Sequence, residues 1–297
     1  MNRYALFLGC TTPRYVFQYE LSSRWVLKQL GIELIDIDDF ACCGFNQIDL
    51  NKETGLLLAA MNLAVAEARG LNILTLCTSC AGALAEAAKK LKADPKKREG
   101  VNSKLQTVAL EYRGNIEVKH ISRVLYEDIG VEKIEEAVKT DLSGLRAAPH
   151  YGCHYLKPEW ISAGFDEPDA PQTLHQLISA TGAVPISYET SNLCCGGKTF
   201  PISRDTTLSL VNRKLNNLKT KEIDCMVLQC PTCYLMYGEM QKQINKRFGE
   251  EHEVPVLLYP QLLGLALGGN PQTDLGLDLN AIPLDGIMAR IAKSDQD

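Results

Sequence analysis

The sequence predicts an α/β protein built from two duplicated α/β units, each with a small, mainly parallel sheet, related by a pseudo-twofold axis. The first of three observations behind this is a repeated set of cysteine groups: Cys10, Cys42-Cys43-Gly44 and Cys77-x-x-Cys80, then Cys153, Cys194-Cys195-Gly196 and Cys230-x-x-Cys233. The second is the offset: Cys153 follows Cys10 by 143 residues, Cys194 follows Cys42 by 152, and Cys230 and Cys233 follow Cys77 and Cys80 by 153. One insertion of about nine residues, before the second Cys-Cys-Gly, accounts for the difference, and agreement at five positions marks an internal duplication. The third is an alternation of short apolar runs with segments of helical period, the pattern of strands joined by crossover helices.

The elements repeat in order. An apolar strand at 4–8 leads to Cys10, and another at 146–151 leads to Cys153. Helical spacing follows at 21–30 and 173–180, each stopped by a glycine, Gly31 and Gly182, at the usual C-terminal position. Strands at 32–37 and 184–188 enter the Cys-Cys-Gly loops, and helices at 52–69 and 204–219 leave them. Buried strands at 72–76 and 225–229 each deliver a Cys-x-x-Cys to a strand-to-helix turn. A strand and a helix, at 118–125 and 254–267, close each half. The boundary falls near 141–144, giving units 1–142 and 143–297. The stretch 93–102, with Pro95 and several lysines, reads as a surface loop. Ligands of such sheets gather beyond the carboxyl ends of the strands, so five sulfurs should converge in each half.

Composition excludes several classes. With 297 residues, 45% hydrophobic and 23% charged, the chain can build its core without staples. Its 11 cysteines cannot all pair and fall below the density of a disulfide scaffold. A net charge of −5 with dispersed Lys and Arg gives no reason to expect nucleic acid or an anionic membrane. No apolar run reaches the roughly 18 residues of a membrane span, and the apolar N-terminal stretch is too short for a secretory signal. The expectation is a reducing cytoplasm, where clustered thiols mean metal or redox chemistry.

A Cys-x-x-Cys at a strand-to-helix turn can place both sulfurs on one metal site. Adjacent cysteines can share a site only in a bent loop, which Gly44, Gly196 and Gly197 permit. Tetrahedral zinc takes four ligands and has no use for a fifth, whereas a multi-iron cluster can accept both members of the pair. Iron-sulfur chemistry therefore ranks ahead of structural zinc and of metal-free redox thiols. A cubane needs four thiolates, so five per half means a spare thiol or an unusual cluster, and the spacing does not decide which.

The duplicated pattern resembles the cysteine-rich CCG-domain family, and within it the B subunits of heterodisulfide reductases. The likeness rests on Phe-Leu-Gly-Cys at 7–10, Tyr-Gly-Cys-His-Tyr-Leu-Lys-Pro at 151–158, Cys-Pro-Thr-Cys at 230–233 and Pro-Gln-Leu-Leu-Gly-Leu-Ala-Leu-Gly at 260–268. It implies two non-cubane [4Fe-4S] clusters, one on Cys10, Cys42, Cys43, Cys77 and Cys80, the other on Cys153, Cys194, Cys195, Cys230 and Cys233. It further implies that the clusters face one cavity and cleave the disulfide of coenzyme M with coenzyme B, as in methanogenesis. A small iron-sulfur C subunit would be the direct electron donor, with a flavin-bearing A subunit behind it. The segments Gly44-Phe45-Asn46 and Gly196 to Pro201 depart from the methanogen pattern. They keep open another disulfide, as in heterodisulfide-reductase-like systems of sulfur metabolism, or an electron-transfer subunit of a lactate- or glycolate-oxidising enzyme. A zinc-stapled interaction protein is the rival from another class.

Among supporting residues, His154 directly follows a candidate ligand, and its counterpart in the first half is Thr11. It is a candidate proton donor to a leaving thiolate, or a hydrogen-bond partner that holds the Cys153 loop. Lys157 and Lys198 are candidate contacts for an anionic group on the substrate, or solvated surface lysines. Cys225 has no counterpart, since Asn72 occupies its place, and reads as a small core residue. His120, His150, His175 and His252 show no metal-ligand spacing with the cysteines and are expected in core or surface roles.

Overall fold

The computed structural model describes residues 2–156 and 165–294, so the candidate Lys157 lies outside the described residues. Strands β1 (Asn2–Phe7), β2 (Ile32–Ile35), β3 (Asn72–Thr75) and β4 (Val118–His120) form one sheet in the order β2-β1-β3-β4. Strands β5 (Arg146–His150), β6 (Val184–Pro185), β7 (Cys225–Leu228) and β8 (Val256–Leu258) form a second in the order β6-β5-β7-β8. Every pairing is parallel, and Phe7 lies opposite Thr75 as His150 lies opposite Leu228. Helices cover the sheets, so β7 reads as an unbroken apolar run and β3 is buried from Ile73 to Thr75, rather than alternating. The edge strand β6 holds Pro185 where its missing N–H faces away from the sheet, between Val184 and Ile186 N–H, which donate to Leu145 O and Ala147 O at 2.8 Å each.

The crossover helices keep the duplication. Lys52–Glu67 and Arg204–Lys219 each leave a Cys-Cys-Gly loop, the former capped by the Asn51 side chain, which accepts from Thr54 N–H at 3.0 Å. Gly31 and Gly182 follow the helices Phe17–Gln29 and Thr173–Ser179 with φ of +78° and +85°, a region that residues with a Cβ avoid. Helix Phe17–Gln29, which follows the short helix Thr12–Tyr15, begins before the apolar spacing at 21 because its opening turn is buried through the polar Gln18 and the aromatic Tyr19.

One expectation needs correction. The stretch 93–102 is not a loop. Helix Pro95–Leu105 runs through it, started by Asp94, whose carboxylate accepts from Lys97 N–H at 3.0 Å, and anchored by buried Val101 and Leu105. Its lysines, read as loop signals, cover the solvent face of that helix. Strand β4 stops at His120, whose Nδ1 caps the helix Ile121–Arg123 by accepting from Ser122 N–H at 3.2 Å.

The halves pack reciprocally, as a pseudo-twofold requires. Helix Phe17–Gln29 of the first half lies on Tyr259–Ala266 of the second, and Thr173–Ser179 of the second lies on Ile121–Arg123 of the first. Tyr19 Oη donates to Gln229 O at 3.1 Å and Tyr126 Oη to Gln176 at 2.8 Å across the seam. Buried side chains of both halves form one continuous core. Among the described residues no helix is long and apolar enough to cross a membrane.

Gly44 has a φ of +82°, and a Cβ there would collide with the Gly55 carbonyl, while Gly31 opens onto empty space. Gly44→Ala is therefore expected to cost roughly 2–3 kcal/mol and Gly31→Ala about 1 kcal/mol, read from urea unfolding midpoints. Equal losses would contradict the clash at the Cys42-Cys43 loop.

Candidate metal centre

Each cysteine group sits where a strand of its sheet ends. Cys10 and Cys153 follow β1 and β5, the two pairs follow β2 and β6, and the two Cys-x-x-Cys motifs open helices after β3 and β7. All ten line one cavity of about 930 Å³, within the range of small-molecule sites. Depth also repeats: Cys43, Cys77, Cys80, Cys195, Cys230 and Cys233 are buried, whereas Cys10, Cys42 and Cys194 are exposed and Cys153 is half-buried at the mouth. The equivalent thiols Cys77 and Cys230 interact across the seam, on the pseudo-twofold.

Sulfurs crowd one another. Cys194 Sγ lies 3.8 Å from Cys153 Sγ, and Cys233 Sγ 3.5 Å from Cys195 Sγ. Crowding splits their acidities: hydrogen bonding from Cys80 lowers Cys43 to about 7, while contact with Cys194 raises Cys195 to about 12. Several of these sulfurs cannot ionise together without a cation among them, which is the demand a metal group meets by releasing thiol protons. Backbone N–H groups already point at sulfur: Gly44 to Cys42 at 3.4 Å, Gly196 to Cys194 at 3.3 Å and Gly197 to Cys195 at 3.4 Å. Among the described residues no three His, Cys, Asp or Glu side chains converge tightly enough to hold a single metal ion. An all-sulfur donor set of five per half, spread around a cavity and met by N–H donors, fits an iron-sulfur group better than one tetrahedral ion.

Buried polar side chains shape the Cys-Cys loops. Asn62 accepts from Ala41 N–H at 2.8 Å and donates to Cys42 O at 3.0 Å, which fixes the first loop from the helix behind it. Thr207 donates to Gly196 O at 3.0 Å in the second. The bends they hold let neighbouring cysteines face one cavity.

His154 lines the cavity with Nδ1 at 3.1 Å from Cys153 Sγ, and burial holds its pKa below the ordinary histidine range. Its ring meets Phe45 of the first half edge-on at 4.5 Å, and Lys198 lies over the same Phe45 ring at 4.3 Å. Lys198 also lines the cavity, but its ammonium is paired with Asp49 at 2.6 Å, so an anionic substrate group would compete with a carboxylate. Cys225 is buried in β7 opposite Ala147 and does not line the cavity. His120, His175 and His252 also stay outside the cavity lining.

Two residues that matter were missed. His150 Nε2 lies 3.3 Å from Cys233 Sγ, and fully buried Lys214 donates to His150 Nδ1 at 2.9 Å. Burial lowers Lys214 to about 7 against the pull of Cys233, Cys195 and the other nearby sulfurs. Cysteine spacing could not reveal either one. The duplication could have: the offsets place His150 over Phe7 and Lys214 over Asn62, an apolar and a neutral residue replaced by a base and a cation.

Comparison with known proteins places the chain. The profile of the CCG family, described as a cysteine-rich domain, matches residues 4–85 and 147–238, one match in each half. The B subunit of the ferredoxin/F(420)H(2)-dependent CoB-CoM heterodisulfide reductase of Methanosarcina acetivorans is 36% identical over 98% of this chain and 97% of its own length. This chain belongs to the family of heterodisulfide reductase B subunits. The 8-methylmenaquinol:fumarate reductase membrane anchor subunit of Wolinella succinogenes is also similar, 32% identical over 95% of this chain and 97% of its own. A solved structure of a hypothetical protein from Helicobacter pylori shares the fold, with a TM-score of 0.76 at 17% identity, covering 94% of this chain and 52% of that one.

Asn62→Leu keeps the volume and takes from the part-buried Ala41 N–H and Cys42 O the partner that Asn62 supplies. It is expected to cost about 2–4 kcal/mol, since each orphaned group costs roughly 1–3 kcal/mol, and to lower iron retained by the first half. Unchanged unfolding and iron content would show that the loop is held by something else.

Proposed function

We propose that this chain is the iron-sulfur subunit where a heterodisulfide reductase cleaves its disulfide, taking the bond between coenzyme M and coenzyme B or a related one to two thiols. One observation carries the reading: both sets of five sulfurs, from the two sheets, open onto the same cavity. The methanogen relatives, named as CoB-CoM heterodisulfide reductase subunits, support the substrate. In this reading the units 1–142 and 143–297 each hold one non-cubane [4Fe-4S] cluster, on Cys10, Cys42, Cys43, Cys77 and Cys80 and on Cys153, Cys194, Cys195, Cys230 and Cys233. Bound there, such clusters supply electrons one at a time and affinity for sulfur.

The reaction consumes two electrons and two protons and releases two thiols. The protein's own part is to hold the disulfide between the halves, to restrict water and to deliver protons. His154 is the proposed donor to one leaving sulfur, placed by Cys153 and by the Phe45 ring. Lys198 and Lys157 are proposed contacts for the substrate's anionic groups. Electrons would arrive in the cytoplasm from an iron-sulfur C subunit, fed in turn by a flavin-bearing A subunit.

The test reduces the anaerobic protein with its donor subunit present, adds the coenzyme M–coenzyme B disulfide, and follows cluster EPR and thiol release. Turnover with changed spectra is expected; intact clusters with neither would refute the assignment. Similarity to the fumarate reductase anchor favours a second reading, an electron relay, which predicts reoxidation of the clusters by an acceptor with no thiol formed. Cys43→Ala and Cys195→Ala should each disturb one cluster and spare the other. His154→Gln should lower turnover by about 10²-fold with cluster spectra kept; an unchanged rate would leave His154 only a holding role.

A further inference from the structure

Lys214 is a fully buried amine, and among the described residues no carboxylate forms an ion pair with it. A buried cation is costly unless something negative lies close. The groups that act on it are the sulfurs of Cys233, Cys195, Cys194 and Cys153, all from the second half. Its Nζ sits 5.4 and 5.5 Å from the ring centroids of Tyr237 and Tyr188, which enclose it further.

The hydrogen bonds give this charge a direction. Lys214 Nζ donates to Ser191 O at 2.8 Å and to His150 Nδ1 at 2.9 Å. Ser191 O also lies 3.3 Å from Nδ1, but Nζ makes the shorter contact with each of the two. With its proton on, Lys214 has only hydrogens to offer, so Nδ1 accepts and the ring proton resides on Nε2. Nε2 lies 3.3 Å from Cys233 Sγ, so an N–H bond lands on that sulfur once it is a thiolate.

The first half has no such relay. Phe7 stands where His150 stands, with its ring edge-on to Phe40 at 5.0 Å. Asn62 stands where Lys214 stands, on the equivalent helix, and its amide serves Cys42 O and Leu58 O. Both members of the relay were therefore exchanged together for residues that bring no charge and no donor to sulfur.

We propose that Lys214 and His150 form a fixed hydrogen-bond relay onto Cys233 that makes the two halves electronically unequal, with the second half's cluster the easier to reduce. This rests on the iron-sulfur reading above and goes beyond it. Donors to a ligand sulfur and a nearby positive charge stabilise the state that carries the extra electron. The first electron delivered to the pair settles in the second half, beside Cys233, and the first half's cluster fills after it. Lys214 and His150 touch neither substrate nor reacting atoms in this account; they are positioning residues.

The test is an EPR-monitored redox titration of the whole protein, with signals assigned to halves through Cys43→Ala and Cys195→Ala. Lys214→Met and His150→Phe should each lower the reduction equilibrium of the second cluster at least tenfold, about 59 mV for one electron, and leave the first unchanged. Lys214→Arg, which keeps the cation and its donors, should retain most of the difference. Full iron content with potentials unchanged, or equal shifts in both clusters, overturns the relay. Should the Met variant lose iron, protein with 15N-labelled histidine and His154→Gln decides. Nitrogen hyperfine coupling at the second cluster alone supports the relay, and no coupling at either overturns it. A colourless protein without labile sulfide overturns the iron-sulfur reading as well, whereas intact signals with unchanged potentials overturn only the relay.

Discussion

The convergence of ten sulfurs on one cavity is the constraint on which the rest of this structure depends. Thiolates that approach within about 4 Å repel strongly in a protein interior, so the arrangement is stable only with a compensating cation or with the thiols protonated. Each nearby feature answers that demand. Glycine N–H groups face Cys42, Cys194 and Cys195. Strand ends and glycine bends bring sulfurs from three separate loops to one side of each sheet. The parallel order places them at the carboxyl edge, where crossover connections leave a crevice.

Duplication supplies the second half of the answer. Two such units, facing each other, bury Cys43, Cys77, Cys80, Cys195, Cys230 and Cys233, and Cys77 and Cys230 meet where the halves join. The reciprocal packing of Phe17–Gln29 on Tyr259–Ala266 and of Thr173–Ser179 on Ile121–Arg123 spans that join, and the buried side chains of both halves form a continuous core. Symmetry is then broken near sulfur. Thr11 becomes His154, Phe7 becomes His150 and Asn62 becomes Lys214, all in the same direction, toward groups that carry protons or charge in the second half. In the proposed reading the repeated cage would serve one cluster in each half, and the asymmetric surround a disulfide whose two ends differ.

Much of this was legible in the sequence because the cysteine groups recur at matched offsets, and the repeat supplies its own control by leaving Cys225 without a counterpart. Strand positions followed, since buried parallel strands are short apolar runs. What failed to show did so for physical reasons. Helix Pro95–Leu105 was hidden because its lysine-rich surface resembles a loop and its start depends on the Asp94 cap. Helix Phe17–Gln29 buries Gln18 and Tyr19 against the other half, a tertiary contact that no local period records. Helical spacing does not set Lys214 apart within Arg204–Lys219, and the packed structure shows that its amine points inward to His150.

The central claim is that each half binds its own multi-iron cluster through five sulfurs. Iron and acid-labile sulfide, counted per chain in anaerobically prepared protein, test it most directly. Two four-iron clusters require about eight irons and about eight sulfides per chain. Two zinc ions without sulfide, or four irons confined to one half, would contradict it.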